Sequence, residues 1–517
     1  MMKNERLMMR QPATHILYLI SAAILLMACG PRLPHDYTQS EQLPKIYPDY
    51  VNVTIPVNMA PLTFQMDQPA DEMVARFSIG GAVSEGNEII CGGRNAVPDA
   101  DEWRDLLTQA QGKALQVEVY ACHDGQWVRF QPFNIAISPD SIDSYISYRL
   151  ISPSYVTYEE LTINQRCLEN YDETVIYDNM LGSTEKAGQC INCHNYQQYN
   201  PQRMQFHARQ HEGGTVIAYD GQLRKINMKN DSILSAGVYP TWHPWLPFIV
   251  YSTNSTHQTF HTVHPNKIEV FDSGSDLIAY DLEHNEVMNI ENAPDEFEVF
   301  PFWAPDGKTL YYCSAHFVFP DSIDDKAVEV ISRAYDVKYN IYKKTFDPES
   351  RQFGPRQLVF DAAASGRSAT LPRVSPDGRF LMFTMARYGV FHIWHRDADL
   401  WLIDLTTGQA RALNEINSSD TESYHSWSSN GRWVVFSSRR DDGNFTRPFF
   451  AHIDKDGHAT KPFELPAADP DYHRQFMKCY NIPEFMKGPV TWRPQDFADI
   501  LKTDGEPVRY VHHFLKK

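Results

Sequence analysis

The chain has 517 residues and a formal net charge of −18 at pH 7. This length predicts two to four domains. Because a strongly acidic surface repels phosphate backbones, the charge argues against nucleic acid as a partner.

The N-terminus predicts an export signal. Three basic residues among the first ten precede an apolar run from Ile16 to Ala28. This run is shorter than the roughly 20 residues that a membrane-spanning helix needs, so it is typical of a secretory signal. The run ends in LMAC, with Cys29, and resembles the lipobox of bacterial lipoproteins. The resemblance implies removal of residues 1–28 and lipidation of Cys29, with an ordinary signal peptide as the alternative.

After the cleavage site, the character of the chain changes twice. Residues 29–48 are rich in proline and polar groups without periodicity, which predicts a flexible tether. Residues 49–165 contain strand segments such as VNVTIP and LQVEVYA with turn signals nearby, and they predict a β-rich, sandwich-like domain. One helix is expected around Asp99–Ala110, because Asp and Glu fall in its first turn. An exported chain permits disulfides, and Cys91 with Cys122 is the pairing that the sequence suggests.

The segment 166–212 contains Cys190, Cys193 and His194 in the C-x-x-C-H pattern of c-type haem attachment. In this chemistry two thiols add to the vinyl groups of haem, and the adjacent imidazole binds the iron as proximal ligand. Attachment takes place outside the bacterial cytoplasm, where the predicted signal would send the chain. The motif therefore resembles exported c-type cytochromes and implies covalent haem c. A redox dithiol, a structural disulfide and half of a zinc site are the alternatives.

The distal ligand of such a haem is expected downstream of the motif. His207 and Met204 are both competent iron ligands, and their spacing with His211 would place all three on one helical face. Histidine is slightly favoured over methionine, and an open iron is the third alternative. Few residues separate the motif from its flanking domains, which predicts that the haem lies between two β-domains.

Four segments downstream share one template, with an aromatic or apolar residue, a turn of the Pro-Asp-Gly type and an alternating strand. They are residues 239–253, 300–314, 371–385 and 424–438. The turns APDG (304–307) and SPDG (375–378), with the strands that follow them, resemble TolB-type β-propeller repeats. The resemblance implies a propeller over residues 213–490, and the repeat length indicates about six blades. Propellers host many unrelated activities, so the repeat says little about function.

The other segments give less specific signals. Residues 491–517 begin with TWRPQDFADILK, which predicts one amphipathic helix and hence a helical cap. Two groups of histidines have metal-like spacing, although polar loop residues are the simpler interpretation. They are His257, His261 and His264 in one group and His392 and His395 in the other. The sequence contains no Gly-x-Ser-x-Gly, His-Glu-x-x-His or phosphate-loop motif.

Together these features predict a lipid-anchored, periplasm-facing c-type cytochrome that exchanges electrons with a redox or envelope partner and lacks a complete catalytic constellation. The chain resembles exported lipoproteins that join one c-type motif to a TolB-type propeller. Gly30, in place of Asp after the lipidated cysteine, favours the outer membrane over the inner. The alternatives are a haemless scaffold that binds an envelope protein or polysaccharide, and an enzyme with a haem or loop-metal site at the propeller mouth.

Overall fold

The computed structural model describes residues 31–80, 86–153 and 160–513. The protein is mainly β, as the sequence predicts. The predicted signal peptide and Cys29 lie outside the described residues. Within them, no helix is long and apolar enough to cross a membrane.

The N-terminal part contains a seven-stranded sheet, a three-stranded sheet and one helix. The seven strands are Thr38–Gln39, Thr54–Pro56, Glu72–Ile79, Glu88–Gly93, Ala114–His123, Gln126–Arg129 and Phe133–Ser138. The three-stranded sheet consists of Ile46–Tyr47, Phe64–Met66 and Asn95–Ala96. The helix Ala100–Ala110 confirms the predicted one, because the Asp99 side chain caps it by accepting from the first backbone N–H groups. Its apolar face buries Trp103 and Leu107 in a core shared with both sheets.

Part of the predicted tether, 29–48, belongs to these sheets. Thr38–Gln39 runs parallel to Gln126–Arg129, and Ile46–Tyr47 is antiparallel to Phe64–Met66. The prediction of a flexible tether is therefore wrong for these two short strands. Local composition does not reveal pairing with strands that lie far away in the sequence.

The suggested disulfide between Cys91 and Cys122 is not present, and both cysteines are buried and free. Cys91 lies opposite Ala75, and Cys122 lies opposite Glu72 of the same central strand. The two cysteines therefore belong to strands on either side of that strand and are offset by three residues along it. Two strand spacings and this offset put their Cα atoms about 14 Å apart. A disulfide bridges Cα atoms up to only about 7 Å apart.

Five further, mainly antiparallel sheets make up most of the remaining chain. The ten-stranded sheet among them divides into two parts, which are joined through the parallel pairing of Ser275 with Phe297. We call the resulting six units ring sheets 1 to 6. Ring sheet 1 contains Cys479–Met486, Tyr145–Ile151, Thr162–Cys167 and Glu173–Asp178. Ring sheet 2 contains Gln189–Tyr196, Met204–Gln210, Gly214–Tyr219 and Gln222–Asn227, with Glu506–Pro507 at its edge. Ring sheet 3 contains Val238–Trp242, Phe248–Phe260, Ile268–Asp281 and Glu286–Glu291, with Arg509–Tyr510 at its edge.

The other three ring sheets follow in chain order. Ring sheet 4 contains Glu296–Trp303, Thr309–His316, Tyr339–Asp347 and Gln357–Phe360, with Gln352–Phe353 paired to its third strand. Ring sheet 5 contains Ser368–Val374, Phe380–Ala386, Asp399–Asp404 and Gln409–Ala412. Ring sheet 6 contains Glu422–Trp427, Trp433–Ser438, Arg447–His452 and Phe463–Glu464. Two short helices, Lys326–Ser332 and Tyr472–Gln475, lie in the connections.

We call the strand named first in each ring sheet its first strand. Each first strand contacts the first strand of the next ring sheet, and that of ring sheet 6 contacts that of ring sheet 1, so the six form a closed cycle. The closure depends on Cys479–Met486, which comes from the C-terminal part of the chain and pairs antiparallel with Tyr145–Ile151. The predicted boundaries at 165/166 and 212/213 therefore fall inside ring sheets 1 and 2. The segment 166–212 is not a separate unit, because backbone hydrogen bonds join its strands to strands on either side of it.

Both ends of the chain pack against the ring. The N-terminal sheets share one apolar core with ring sheets 1 and 6, and the Trp433 indole N–H donates to the Asp140 carbonyl at 3.0 Å. The helix Pro494–Leu501 lies in the segment for which a helical cap is predicted. Its Phe497 ring lies 6.3 Å from Tyr177 and 5.4 Å from Phe206, which belong to ring sheets 1 and 2.

Candidate functional site

The CINCHNY stretch lies in the first strand of ring sheet 2, Gln189–Tyr196. Cys193 has a φ of 57°, and a bulge there interrupts the pairing with Met204–Gln210. Each of the other first strands has a non-glycine residue with positive φ at its own register shift. These residues are Tyr239, Phe300, Leu371, Tyr424 and Ile482. Because positive φ is uncommon outside glycine, the six copies define a structural repeat.

This repeat accounts for the residues around the bulge. The positions equivalent to His194 hold Pro240, Pro301, Pro372, His425 and Pro483. Cys190 corresponds to Cys479, and Asn192 corresponds to Asn481, so CINCHNY and CYNIPEF are two copies of one strand. The turn template of the other repeats does not reveal these two copies, because neither is followed by a Pro-Asp-Gly turn. The C-x-x-C-H spacing thus coincides with a repeat that the fold imposes.

The thiol-bearing side chains of this strand face a cavity on the axis of the ring, which we call the axial cavity. Cys190 and Cys193 line it together with Cys479, and all three are buried and free. Burial raises the pKa of the Cys193 thiol, and the Tyr239 N–H, which donates to its Sγ at 3.5 Å, offsets only part of that effect. Cys193 therefore presents a neutral thiol to the cavity at physiological pH.

The imidazole of His194 does not line the axial cavity. It lines a narrower space of about 40 Å³ farther along the axis, next to the backbone of Ser147 and Ile482 in ring sheet 1. His194 is 1% exposed, and neither ring nitrogen has a hydrogen-bond partner within the described residues. Burial lowers the pKa of His194 to about 3, so its ring is neutral at physiological pH.

The two predicted distal ligands also lie elsewhere. The segment that holds them is the strand Met204–Gln210 and not a helix, so the expected helical face with His211 does not exist. Met204 is fully buried in the apolar core between ring sheets 1 and 2. His207 Nδ1 lies 3.1 Å from the Thr215 hydroxyl, and burial lowers the pKa of this histidine to about 3. His207 lines a third cavity that neither the motif cysteines nor His194 reach.

The residues of the motif, as placed, do not fit a covalently attached haem. Cys190 lines only the axial cavity, the His194 imidazole lines only the smaller space, and Cys193 lies between the two and lines both. His207 lines a third cavity. Haem attachment needs both thiols at the vinyl groups and the imidazole on the iron of the same macrocycle. Neither predicted distal ligand shares the space that His194 lines.

The axial cavity has a volume of about 190 Å³ and two different walls. One wall is apolar and aromatic, and its larger side chains are Tyr239, Phe391, Ile393, Trp394, Tyr424 and Ile482. The other wall is polar, with Arg149, Asn192, Arg209 and Asn481. The mouth carries exposed residues such as Arg209 and Gln258, whereas the cysteines lie deeper. A cavity with convergent polar groups on an apolar background is typical of a small-molecule site.

The polar wall is positively charged. Arg149 is 6% exposed and donates through Nη1 to the Ile191 carbonyl at 3.0 Å and to the Asn192 side chain. Its Nε has no hydrogen-bond partner in the part of the chain that the structure describes. Among those residues no Asp or Glu lines the cavity, although the chain carries 65 acidic and 47 basic residues. The axial cavity is therefore a locally positive site in an acidic protein.

The two predicted groups of loop histidines meet around one carboxylate. The Glu269 carboxylate lies 3.0 Å from His395 Nε2 and 3.7 Å from His261 Nε2, and the Tyr388 hydroxyl donates to it at 2.8 Å. His264 stacks near His261, with ring centroids 4.9 Å apart. The remaining two histidines contact hydroxyl groups: His257 lies 2.9 Å from the Ser273 hydroxyl, and His392 lies 2.9 Å from the Thr370 hydroxyl.

These contacts indicate a structural role for the histidines. Within the described ranges, the groups close enough to hold a metal ion are Asp71, His123 and Asp124, and Asp281, Glu283 and His284. Neither group contains a loop histidine that the sequence analysis singled out or a residue of the cysteine motif. The contacts between Glu269 and His395 instead join ring sheet 3 to the connection that follows the second strand of ring sheet 5.

The Glu269 contacts predict a stability that depends on pH. Burial by itself would raise the pKa of Glu269, but the contacts with His395 and Tyr388 lower it below the ordinary value. The ionised form then stabilises the fold fully above about pH 4.3, the ordinary pKa of glutamate, and this contribution is lost as the pH falls through the lowered pKa. We expect Glu269→Gln to lower the free energy of unfolding by about 2 kcal/mol at neutral pH.

Urea denaturation between pH 7 and pH 3.5 measures this difference. The difference in free energy of unfolding between wild type and Glu269→Gln should become smaller as the pH approaches 3.5. Glu349→Gln, which changes an exposed glutamate, serves as the control and should stay close to wild type throughout. A gap that is constant over the whole range would contradict the prediction.

No protein-family model matches the chain, and no curated protein sequence matches it. Solved structures with limited similarity include a prolyl endopeptidase (10% identity, TM-score 0.31) and prolyl oligopeptidase B from Galerina marginata (10%, 0.32). A protein of an uncharacterised family from Bacteroides caccae also matches (9%, 0.25). The matches cover 63%, 78% and 71% of this chain and 42%, 54% and 94% of the other chains, respectively. The chain thus spans about half of the length of the two peptidases, and at these TM-scores no conclusion about it rests on the matches.

Proposed function

We propose that the protein is an envelope-anchored binding protein built as a six-bladed β-propeller, and that its axial cavity is the functional centre. Ring sheets 1 to 6 would be the blades, and the N-terminal sheets would form the sandwich-like domain. The propeller would then begin at Tyr145 and close with Cys479–Met486. This is the haemless alternative among the functions that the sequence predicts.

The placement of His194 is the observation that carries the proposal. Its backbone follows the same bulge as five other first strands, and its side chain packs against the backbone of Ser147 and Ile482. The fold therefore supplies a reason for C-x-x-C-H that requires no haem. The cysteines of the motif, with Cys479, then contribute to the wall of a cavity open to solvent.

The location in the envelope rests on the sequence alone. The apolar run that ends at Cys29 supports export and lipid attachment. A propeller held at a membrane surface would present its cavity to a soluble ligand or to an envelope partner, either a protein or a polysaccharide. Replacing Cys29 with Ser should release the protein from the membrane fraction of the bacterium, which cell fractionation measures.

We predict that the protein is colourless when it is produced with a c-type cytochrome maturation system. Cys190 and His194 line different spaces, and only Cys193 lines both, so the folded chain offers no single space to both thiols and the imidazole. Absorption spectra of the oxidised and reduced protein, together with a haem stain after denaturation, provide the test. The double variant Cys190→Ala/Cys193→Ala is the control and should give the same spectrum as wild type.

The electron-carrier function expected from the motif stays a prediction, and the same experiment addresses it. A Soret band that sharpens on reduction, with haem retained on the denatured chain and lost in the double variant, would overturn the binding-protein proposal. It would require the strand Gln189–Tyr196 to bind haem in an arrangement different from the one described above.

A further inference from the structure

We infer that the axial cavity binds a small organic anion with a flat apolar body, and that Arg149 and Arg209 hold its charged group. This inference rests on the proposed function and specifies the class of ligand. Three observations carry it: the sign of the charge in the cavity, the unpartnered polar atoms of its lining, and the aromatic side chains that line the same cavity.

The sign of the charge selects an anion. The two charged side chains that line the axial cavity within the described ranges are Arg149 and Arg209. Arg149 is buried, so its attraction to an anion is weakened little by solvent. Arg209 is exposed at the mouth, where it would attract an anion from solution. A planar guanidinium matches the geometry of a carboxylate, which makes a carboxylic acid the simplest ligand.

The wall also holds polar atoms whose hydrogen-bonding capacity is unused. Arg149 Nε and Asn481 Oδ1 are both buried and lack a partner in the described part of the protein. Buried polar atoms are nearly always satisfied, so such atoms beside a cavity point to a ligand or water that completes them. Arg149 Nε would donate to the anion, and Asn481 Oδ1 would accept from a hydroxyl or amide of the ligand.

The aromatic lining selects the shape of the ligand. Tyr239, Phe391 and Tyr424 line the cavity with Trp394, and the Phe391 and Tyr424 rings lie 5.9 Å apart in an edge arrangement. Aromatic walls favour a flat apolar body through stacked and edge contacts. A volume of about 190 Å³ limits the ligand to one or two fused rings with a short acidic group.

The test uses naphthoate and its neutral analogue naphthylmethanol, titrated by calorimetry into the purified, colourless protein. We expect naphthoate to bind with one site per chain and to bind at least about tenfold more tightly than naphthylmethanol. Arg209→Gln should weaken naphthoate binding by about tenfold and leave naphthylmethanol binding unchanged. Arg149→Gln should weaken it at least as much, with circular dichroism used to confirm that the variant is folded.

Arg432→Gln is the matched control. It removes one arginine from a turn after the first strand of ring sheet 6. Arg432 does not line the axial cavity, so this variant should bind naphthoate like wild type. Equal affinity for both probes, no saturable naphthoate binding, or an equal effect of Arg432→Gln and Arg209→Gln would each overturn the inference. If the proposed function is wrong, the absorption spectrum will show covalent haem. That result differs from a failure of naphthoate binding, so the two failures can be told apart.

Discussion

A chain that stops before Cys479 should lose cooperative folding. The deletion removes the first strand of ring sheet 1 and leaves Tyr145–Ile151 without its neighbour on the axis. It also opens the cycle of first strands, because Cys479–Met486 contacts the first strands of ring sheets 2 and 6. The deletion additionally removes the cap helix Pro494–Leu501 from the base of ring sheets 1 and 2.

The expected loss is comparable to the whole stability of an ordinary domain. The deletion removes several fully or nearly fully buried side chains, namely Tyr480, Phe485, Met486, Phe497 and Leu501. At roughly 1.5–3 kcal/mol for each buried side chain, the total is on the order of 10 kcal/mol. Native proteins are stable by only about 5–15 kcal/mol, so the open ring should not remain folded.

Urea denaturation followed by tryptophan fluorescence, with size-exclusion chromatography, measures the effect. A chain that stops after Thr503 is the control, since it keeps the closing strand and the cap helix and loses only two short edge strands. The control should unfold in one transition near the midpoint of the full chain. If the chain without Cys479–Met486 behaved in the same way, the ring would not depend on this closure.

The second large effect is expected at Glu484. This residue is 7% exposed and follows the bulge at Ile482 by two positions, near the end of the axis opposite to the axial cavity. Its carboxylate accepts from Arg373 Nη2 at 2.9 Å, from the Ser426 hydroxyl at 3.2 Å and from Asn195 Nδ2 at 3.4 Å. Each of these partners also follows the bulge residue of its own first strand by two positions, in ring sheets 5, 6 and 2. The Glu484 carboxylate of ring sheet 1 therefore joins four sheets.

Glu484→Ala should lower the free energy of unfolding by about 3 kcal/mol, because it leaves the guanidinium of Arg373, whose side chain is 18% exposed, without its counter-charge. Glu484→Gln keeps a hydrogen-bond acceptor and should lower the free energy of unfolding by less than Glu484→Ala. The double variant Glu484→Ala/Arg373→Ala should be less destabilised than the sum of the single variants, because it removes both charges. Chemical denaturation of the four proteins gives this comparison.

The control for Glu484 is a surface ion pair. Arg104→Ala breaks an exposed pair with Asp101 and should cost less than about 1 kcal/mol. Strictly additive effects at Glu484 and Arg373 would contradict the prediction. Such a result would mean that the two side chains stabilise the ring independently.

Local patterns in the sequence correctly predict a large part of the fold. The helix at Asp99–Ala110 is recognisable because its cap and first-turn carboxylates are adjacent in sequence. The cap helix in 491–517 follows from its own amphipathic pattern. The hairpins of ring sheets 3 to 6 follow from alternating residues and tight turns, which are contacts within a few residues. In each case the physical interactions that define the element are local.

Ring sheets 1 and 2 could not be recognised in this way. Their first strands lack the Pro-Asp-Gly turn, and ring sheet 1 joins Tyr145–Ile151 to Cys479–Met486 across more than half of the chain. A strand pairing of this kind depends on the closure of the whole ring and leaves no pattern within a short window. The prediction consequently placed the start of the propeller at residue 213.

The sequence by itself determines that Cys190, Cys193 and His194 stand at the spacing of a haem-attachment motif. The tertiary structure decides where their side chains point, because the same spacing lies in a bulged strand of a sixfold repeat. A bulge re-aims successive side chains, so the thiols face the axial cavity and the imidazole faces the neighbouring sheet. The tertiary structure also brings Arg149 and Arg209 to that cavity from different strands, and this juxtaposition has no signature in the sequence.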